Sequence, residues 1–157
     1  MKSEHDKIQE ILTSYKKSLV KEKTVLFQKA KLKGNFKLID SKGQYPSSVL
    51  EALNCIHANI FDQNLDVGWL KKECRINKKV FSSVFYKYLK YYPKEYILHH
   101  RLTVSKKLLL TVDTSITFIA HSVGFTSLSS FCKTFKRKEG KKPSTWKREV
   151  SKNGKRQ

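Results

Sequence analysis

The amino-acid sequence predicts an all-helical fold, and three observations carry this prediction. Apolar residues recur three and four positions apart through most of the 157-residue chain, the spacing that places them on one face of an α-helix. From Ser47 onward no segment shows the strict alternation of a half-buried strand, and the apolar run from Leu108 to Val112 continues a helical pattern that begins at Tyr96. An internal repeat of about 50 residues divides this helical part into two similar halves.

The charge balance limits the classes of partner. The chain has 33 Lys and Arg residues against 13 Asp and Glu, a formal net charge of +20. Because such an excess repels itself in a compact chain, a polyanionic partner is the simplest explanation, and nucleic acid is favoured over an anionic membrane or an acidic protein. No apolar run approaches the ~20 residues of a membrane span, and the charged N-terminus lacks the apolar core of a signal peptide. We therefore expect a cytoplasmic protein that binds no membrane.

Residues 1–46 are predicted to form an amphipathic N-terminal helix and a linker. Apolar side chains recur at helical spacing at Ile8, Ile11, Leu12, Tyr15, Leu19 and Leu26. The favoured interpretation is that this helix docks on its own domain or on a partner, and the alternative is self-association; a partner contact or self-association would involve residues 5–30. The segment 33–35 is expected to end the helix and 40–46 to form a loop. Ser48 and Glu51 then have capping-box spacing and predict the start of the next helix.

The internal repeat predicts two similar pairs of helices. The corresponding residues are Val67 and Ile116, Leu70 and Ile119, Lys71 and Ala120, Cys74 and Val123, Phe81 and Phe131, Phe85 and Phe135, Pro93 and Pro143, and Tyr96 and Trp146. Each copy is a short amphipathic helix, a tight turn and a second helix with two aromatic residues one turn apart, which is a helix-turn-helix. The first is predicted at about 66–86 and the second at about 115–136.

The turn of the second copy, at 122–126, has the residue types that such a turn needs. Gly124 can adopt a positive φ that swings the chain, and Phe125 is placed to pack into the core. Thr126 or Ser127 can cap the helix that follows.

The second copy also combines three sequence motifs. Ile116–Phe125 fits I-x-x-I-A-x-x-x-G-F, Phe131–Lys136 fits F-x-x-x-F-K, and Gly140–Pro143 fits G-x-x-P. With these motifs the chain resembles the AraC/XylS family of bacterial transcription regulators over residues 47–151. The resemblance implies two helix-turn-helix subdomains joined by a long connecting helix at about 93–110. It also implies that the second helix of each pair enters one of two successive major grooves on one face of the DNA.

Spacing and family position together indicate which side chains contact DNA. The candidates for reading bases are Lys78, Lys79, Ser82 and Ser83 in the first copy and Leu128, Ser129, Ser130 and Lys133 in the second. The candidates for phosphate contacts are Lys87, Ser115, Lys136, Arg137, Lys138, Lys141 and Lys142. Leu128 either packs inward or meets a thymine methyl group.

The first copy departs from the family pattern in ways that bear on its role. The departures are Lys71 at a buried small position, Arg75 at the turn glycine, Ser83 at a frequent arginine and Lys90 at a second glycine. We therefore expect the first copy to contact mainly phosphates. Residues 152–157 are predicted to form a disordered basic tail.

No constellation of catalytic or metal-binding residues is found in the sequence. His57, His99, His100 and His121 lack HExxH spacing, and the three cysteines, which are expected to be reduced, form no CxxC. The segment 140–145 lacks the earlier glycine of a phosphate-binding P-loop. We expect no enzyme, no metal and no cofactor, with histidines at helix surfaces or half-buried.

The predicted function is a sequence-specific transcription regulator associated with the nucleoid. Its expected partner is double-stranded DNA, with RNA polymerase as a second candidate. The alternatives are a DNA-architecture or recombination and excision accessory protein that uses the same two units, and an adaptor whose N-terminal helix recruits a partner. About 45 residues precede the DNA-binding part, too few for a ligand-sensing barrel. Either the protein responds through its own abundance, which Met1 favours, or the chain is the C-terminal piece of a larger one.

Overall fold

The computed structural model describes the backbone of residues 1–32, 46–73 and 81–154, and their side chains except those of 22–32 and 47. These ranges contain eight helices and no strand: α1 (Glu4–Leu32), α2 (Ser47–Asn59), α3 (Val67–Glu73), α4 (Phe81–Leu89), α5 (Pro93–Thr111), α6 (Ile116–Ser122), α7 (Leu128–Glu139) and α8 (Pro143–Gly154). The predicted all-helical fold is confirmed, and α5 matches the predicted connecting helix to within one residue. The predicted helix end at 33–35 and the loop at 40–45 lie outside the described residues.

The chain divides into two compact units, in a way that the sequence pattern does not indicate. The C-terminal unit contains Met1–Thr13, Phe61–Gln63 and His100–Gln157, and the central unit contains Ser14–Ile60 and Asn64–His99. The first turns of α1 therefore belong with the second half of the chain rather than with a separate region at 1–46. Periodicity identifies the apolar face of a helix but not the helices against which that face packs.

The core of the C-terminal unit is built around the aromatic face of α7. Phe131 and Phe135 are fully buried, and their ring centroids lie 5.6 Å apart in an edge-to-face arrangement. Phe125 contacts Phe131 at 5.2 Å, and Trp146 of α8 contacts Phe135 at 5.9 Å. Such aromatic pairs contribute about 0.5–1.5 kcal/mol beyond their buried area, so α7 is held at both ends of its apolar face.

The start of α1 packs within the same C-terminal unit. Ile8 is fully buried, and the His5 ring meets the Phe118 ring edge-on with centroids 6.2 Å apart. The Glu4 carboxylate accepts a hydrogen bond from the backbone N–H of Asp113 at 2.9 Å. The hydrogen bond from the Lys7 ammonium, followed by the one from Asp113, holds the pKa of Glu4 below its usual range. These contacts agree with the interpretation that α1 docks on its own chain.

The core of the central unit is also built around a pair of phenylalanines, but its third aromatic residue is a tyrosine instead of a tryptophan. α2 packs against α3 and α4. The Phe85 ring meets Phe81 at 5.6 Å and Tyr96 of α5 at 5.7 Å. The Tyr96 hydroxyl lies 2.8 Å from Nε2 of the buried His57 on α2. Tyr96 thus occupies the place that Trp146 has in the C-terminal unit.

Several helix ends differ from the sequence predictions. α2 begins at Ser47 with Pro46 as its N-cap and has no side-chain capping bond, so the predicted capping box at 48–51 is wrong. The Pro46 carbonyl accepts hydrogen bonds from the backbone N–H groups of Val49 and Leu50 at 2.9 and 3.2 Å, so backbone bonds alone close the first turn. The second helices of the two pairs end at Leu89 and Glu139, three residues beyond the predicted ends at 86 and 136. α8 continues to Gly154, so residues 152–154 are helical rather than a disordered tail.

Two predicted side-chain environments are also corrected. His57 and His100 are each only 5% exposed, more buried than the predicted surface or half-buried setting. Both lie on inward helix faces, where a hydrogen bond such as that between His57 and Tyr96 satisfies a ring nitrogen. Cys55 is disulfide-bonded whereas Cys132 is free, so the prediction of three reduced cysteines is wrong for Cys55. The spacing of cysteines in a sequence does not report which of them meet in space.

Candidate nucleic-acid interface

The turn between α6 and α7 has the backbone geometry that its sequence predicts. Gly124 adopts a φ of +94°, and Phe125 beside it is 4% exposed. The backbone N–H groups of Gly124 and Phe125 donate to the carbonyls of His121 and Ala120, both at 3.0 Å. These bonds end α6 within one residue and bring the chain directly to the start of α7.

A buried arginine lies behind this turn, and sequence reasoning assigned it no role. A Cβ placed on Gly124 would come within 2.8 Å of Nε of Arg101, so the turn and the guanidinium are in close contact. Arg101 is 6% exposed, and its Nη2 donates to the carbonyl of Asp62 at 2.6 Å. Burial lowers the pKa of Arg101 to about 10, partly opposed by the Asp62 carboxylate, so the guanidinium stays protonated near neutral pH. A single arginine on α5 carries no periodicity signal, which is why the sequence did not reveal its position.

The outward face of α7 brings together the base-reading candidates of the second copy. Ser127 caps the helix, and its Oγ accepts a hydrogen bond from the backbone N–H of Ser130 at 3.1 Å. Because Phe131 and Phe135 face the core, the opposite face is left to solvent. The exposed residues there are Leu128, Ser129, Ser130 and Lys133. Leu128 is 38% exposed, so it points outward rather than into the core.

A basic segment follows this face and contains five of the phosphate candidates. Lys136, Arg137, Lys138 and Lys142 are exposed, and Lys141 is half-buried. The two nearby acids are each paired with a lysine: Glu139 with Lys106 at 2.9 Å, and Glu149 with Lys141. The segment therefore presents a positive surface with its acids already occupied. Gly140, with a φ of +77°, turns the chain between α7 and α8.

The remaining candidates are less uniformly placed. In α6, the hydroxyl of Ser115 caps the helix by accepting from the backbone N–H of Phe118 at 3.1 Å. In α4, Ser83 and Lys87 are exposed and Ser82 is half-buried. The structure thus presents at least two of the first-copy candidates to solvent. Lys78 and Lys79, together with Arg75, lie outside the described residues.

Comparison with known proteins identifies the family. A family described as a helix-turn-helix domain matches residues 70–149, just over half of the chain. The chain belongs to the AraC/XylS-type helix-turn-helix family. The matched range begins within α3 and covers the rest of both helix pairs, including α4, α5 and the α6–α7 turn described above. Sequence reasoning had reached the same family from the motifs of the second copy.

Two relatives in this family carry regulator names. The Msm operon regulatory protein of Streptococcus mutans is 31% identical over 116 residues, which are 74% of this chain and 41% of that protein. The HTH-type transcriptional regulator AlkR of Acinetobacter baylyi is 32% identical over 92 residues, which are 59% of this chain and 30% of that protein. The chain therefore spans less than half the length of these two relatives.

A solved structure shares the fold of the AraC/XylS-type domain. The crystal structure of the DNA-binding domain of AdpA, a global transcriptional factor, in complex with a target DNA matches with a TM-score of 0.61. The match covers 69% of this chain and 96% of that one at 19% identity. This likeness confirms the double helix-turn-helix fold.

The described residues form neither a metal-binding cluster nor a membrane-spanning helix. No group of three or more His, Cys, Asp or Glu side chains in the described ranges is arranged to hold a metal ion. Among the helices in those ranges, none has the length and apolar character to cross a membrane.

Proposed function

We propose that this protein is a sequence-specific, double-stranded DNA-binding transcription regulator in which each helix-turn-helix pair presents its second helix to a major groove. Family membership, the names of the two relatives and the DNA-bound structure of the AdpA domain support this proposal. A location on the nucleoid and a contact with RNA polymerase at target promoters belong to the same proposal.

One observation carries the proposal: the exposed face of the first two turns of α7. Base edges are read by side chains near the start of a recognition helix, and this face carries short hydroxyls and one lysine. Lys133 is suited to the O6 and N7 acceptors of guanine, and the serines can bond either base type. Leu128 offers an apolar contact for a thymine methyl group. Because Phe131 and Phe135 anchor the opposite face, these groups are presented on a rigid element.

The basic segment after α7 supplies affinity without sequence preference. Lysine and arginine contacts to phosphates release counterions, so binding that relies on them weakens steeply as salt rises. For about 6–10 phosphate contacts, affinity falls by a factor of about 10³–10⁵ between about 50 and 200 mM salt.

The test is selection of bound fragments from random duplex DNA, followed by titration of the selected duplex and of a scrambled one. We expect Lys133→Ala to reduce the ratio of the two affinities about tenfold, since one good bidentate contact is worth about 1–3 kcal/mol of discrimination. Lys107→Ala is the matched control, because it removes the same charge from an exposed position of the same unit. An equal loss on both duplexes would assign Lys133 to phosphate.

Regulation is tested separately from binding. The selected site is placed beside a promoter, and transcription by purified RNA polymerase is measured with and without the protein. A change in transcript level that disappears when the site is scrambled supports a regulator. Specific binding with no effect at any position relative to the promoter would instead favour a DNA-architecture or excision accessory protein.

A further inference from the structure

The two copies of the repeat differ in the segment that follows their paired phenylalanines. In the second copy this segment carries the cations Lys136, Arg137, Lys138, Lys141 and Lys142. The residues 50 positions earlier in the first copy are Tyr86, Lys87, Tyr88, Tyr91 and Tyr92. Tyrosine therefore replaces a cation at four of the five positions. A surface predicted to contact phosphate in one copy has a different chemistry in the other.

Three of these tyrosines are exposed, and we name them together the tyrosine surface: Tyr86, Tyr91 and Tyr92. Their exposures are 44%, 39% and 52%. The rings of Tyr86 and Tyr92 stack with centroids 4.7 Å apart and planes inclined by 23°. Tyr91 meets the Tyr96 ring edge-on at 6.2 Å and the His99 ring at 5.3 Å. Because each of the three rings packs against another aromatic ring, its orientation is fixed before any partner binds.

The tyrosine surface is not needed to build the core of the central unit. Phe81, Phe85 and Tyr96 already fill that role, and all three are buried. Exposed clusters of large apolar side chains are uncommon on monomers and mark interaction sites. Neutral rings also release no counterions, so a phosphate backbone gains little from this surface compared with the cations of the second copy.

The charges around the tyrosine surface select the partner. Lys87, Lys90 and Lys94 lie in the same stretch of chain and are all exposed. Glu95, the single acidic residue between positions 81 and 99, is half-buried. Exposed tyrosine rings in a stretch of chain that also carries exposed lysines are complementary to a segment that alternates apolar side chains with carboxylates. A second copy of this chain, at +20, is disfavoured by charge repulsion.

We propose that the tyrosine surface docks an acidic segment of a partner protein. Apolar side chains of that segment lie against the rings of Tyr86, Tyr91 and Tyr92, and its carboxylates meet Lys87, Lys90 and Lys94. Tyrosine is among the residues that dominate binding energy at protein interfaces, because its large ring is ordered at low entropic cost and its hydroxyl can still bond. In this proposal Lys87 meets a carboxylate of the partner in place of the phosphate contact that the sequence predicts for it. The docking is separate from the bases and phosphates that α7 contacts.

The test measures binding of the full chain to short fluorescein-labelled peptides made only of Asp, Glu, Leu and Phe, by fluorescence anisotropy. The triple variant Tyr86→Ser, Tyr91→Ser, Tyr92→Ser is expected to weaken this binding at least about tenfold. The matched control changes the equivalent positions of the second copy, Lys136→Ser, Lys141→Ser and Lys142→Ser. We expect this control to bind the peptides as the wild type does and to lose affinity for duplex DNA instead.

Further controls distinguish the three possible binding partners of the tyrosine surface: an acidic segment, DNA and a second copy of the chain. Far-UV circular dichroism checks helicity, and the smaller change Tyr86→Ser, Tyr92→Ser, which adds no charge, replaces the triple variant if that one fails to fold. Equal peptide binding by wild type and tyrosine variants, or no peptide binding at all, overturns the proposal. So does equally tight binding of a peptide of glutamate alone, because charge would then suffice. A loss of duplex affinity as large as in the lysine control assigns the surface to DNA, and a dimer that the tyrosine variants dissociate in sedimentation assigns it to a second copy.

Discussion

The two helix-turn-helix pairs of this chain share one internal frame and differ in what they place around it. Phe81 and Phe85 in the first pair, and Phe131 and Phe135 in the second, have the same centroid distance of 5.6 Å and the same interplanar angle of 62°. All four rings are nearly or fully buried. A few buried aromatic residues at fixed spacing therefore specify the pair, and the surfaces beyond them are free to diverge.

The divergence is clearest on the first helix of each pair. Leu70 of α3 and Ile119 of α6 correspond and are both fully buried. At the next position, Ala120 is fully buried whereas Lys71 is exposed. A long lysine side chain can carry its ammonium group to water from a position that alanine fills in the core. At this position the second pair therefore has a buried small residue, Ala120, and the first pair has a solvent-exposed one, Lys71.

Exchanging the residue types at this position gives the largest expected effect. Ala120→Lys forces a long, charged side chain into a packed site and is expected to lower the free energy of unfolding by about 3 kcal/mol or more. Lys71→Ala removes only an exposed side chain and is expected to change it by less than about 0.5 kcal/mol. Urea titration followed by tryptophan fluorescence measures both.

The two tryptophans of the chain allow the unfolding of each unit to be followed separately by fluorescence. Trp69 lies on α3 in the central unit, and Trp146 lies on α8 in the C-terminal unit. With Trp69→Phe as background, Ala120→Lys should move the transition that Trp146 reports. With Trp146→Phe as background, the Trp69 transition should stay near that of the parent. Equal shifts in both backgrounds would mean that the two units unfold together and that the effect of Ala120→Lys is not confined to the C-terminal unit.

A second prediction concerns the two left-handed glycines of the second pair, which differ in their surroundings. A methyl group at Gly124 meets both a φ of +94° and the Arg101 guanidinium, so Gly124→Ala is expected to destabilise by about 2–4 kcal/mol. Gly140, at +77°, has no neighbour within 4 Å of such a methyl group, and Gly140→Ala is expected to cost about 1 kcal/mol. Chemical denaturation with Trp146 as reporter compares them. Equal losses of stability in the two variants would show that the Arg101 side chain moves aside for the methyl group and adds no penalty at Gly124.

The sequence predicted the parts of this molecule that depend on local pattern. The fold class, the α5 connection, the Gly124 turn and the outward face of α7 all follow from the spacing of apolar residues and from turn chemistry. The packing of the α1 start, the buried Arg101 and the disulfide at Cys55 depend on which distant segments meet. Spacing along one helix carries no information about such meetings, so these features emerged only from the structure.

A smaller effect than at the two glycines is expected where the two copies share a backbone conformation but not the residue that favours it. Lys90 has a φ of +60°, and it stands where the second copy has Gly140 at +77°. The left-handed region costs a residue with a Cβ about 1–2 kcal/mol, whereas glycine adds about 0.4–1 kcal/mol of freedom to the unfolded chain. Lys90→Gly is therefore expected to raise the free energy of unfolding, with Trp69 as reporter, by about 0.5–1 kcal/mol. The reciprocal Gly140→Lys should lower it by a similar amount with Trp146 as reporter. A loss of stability in Lys90→Gly would contradict the shared conformation and would assign the Lys90 side chain a stabilising contact that outweighs the strain of its backbone.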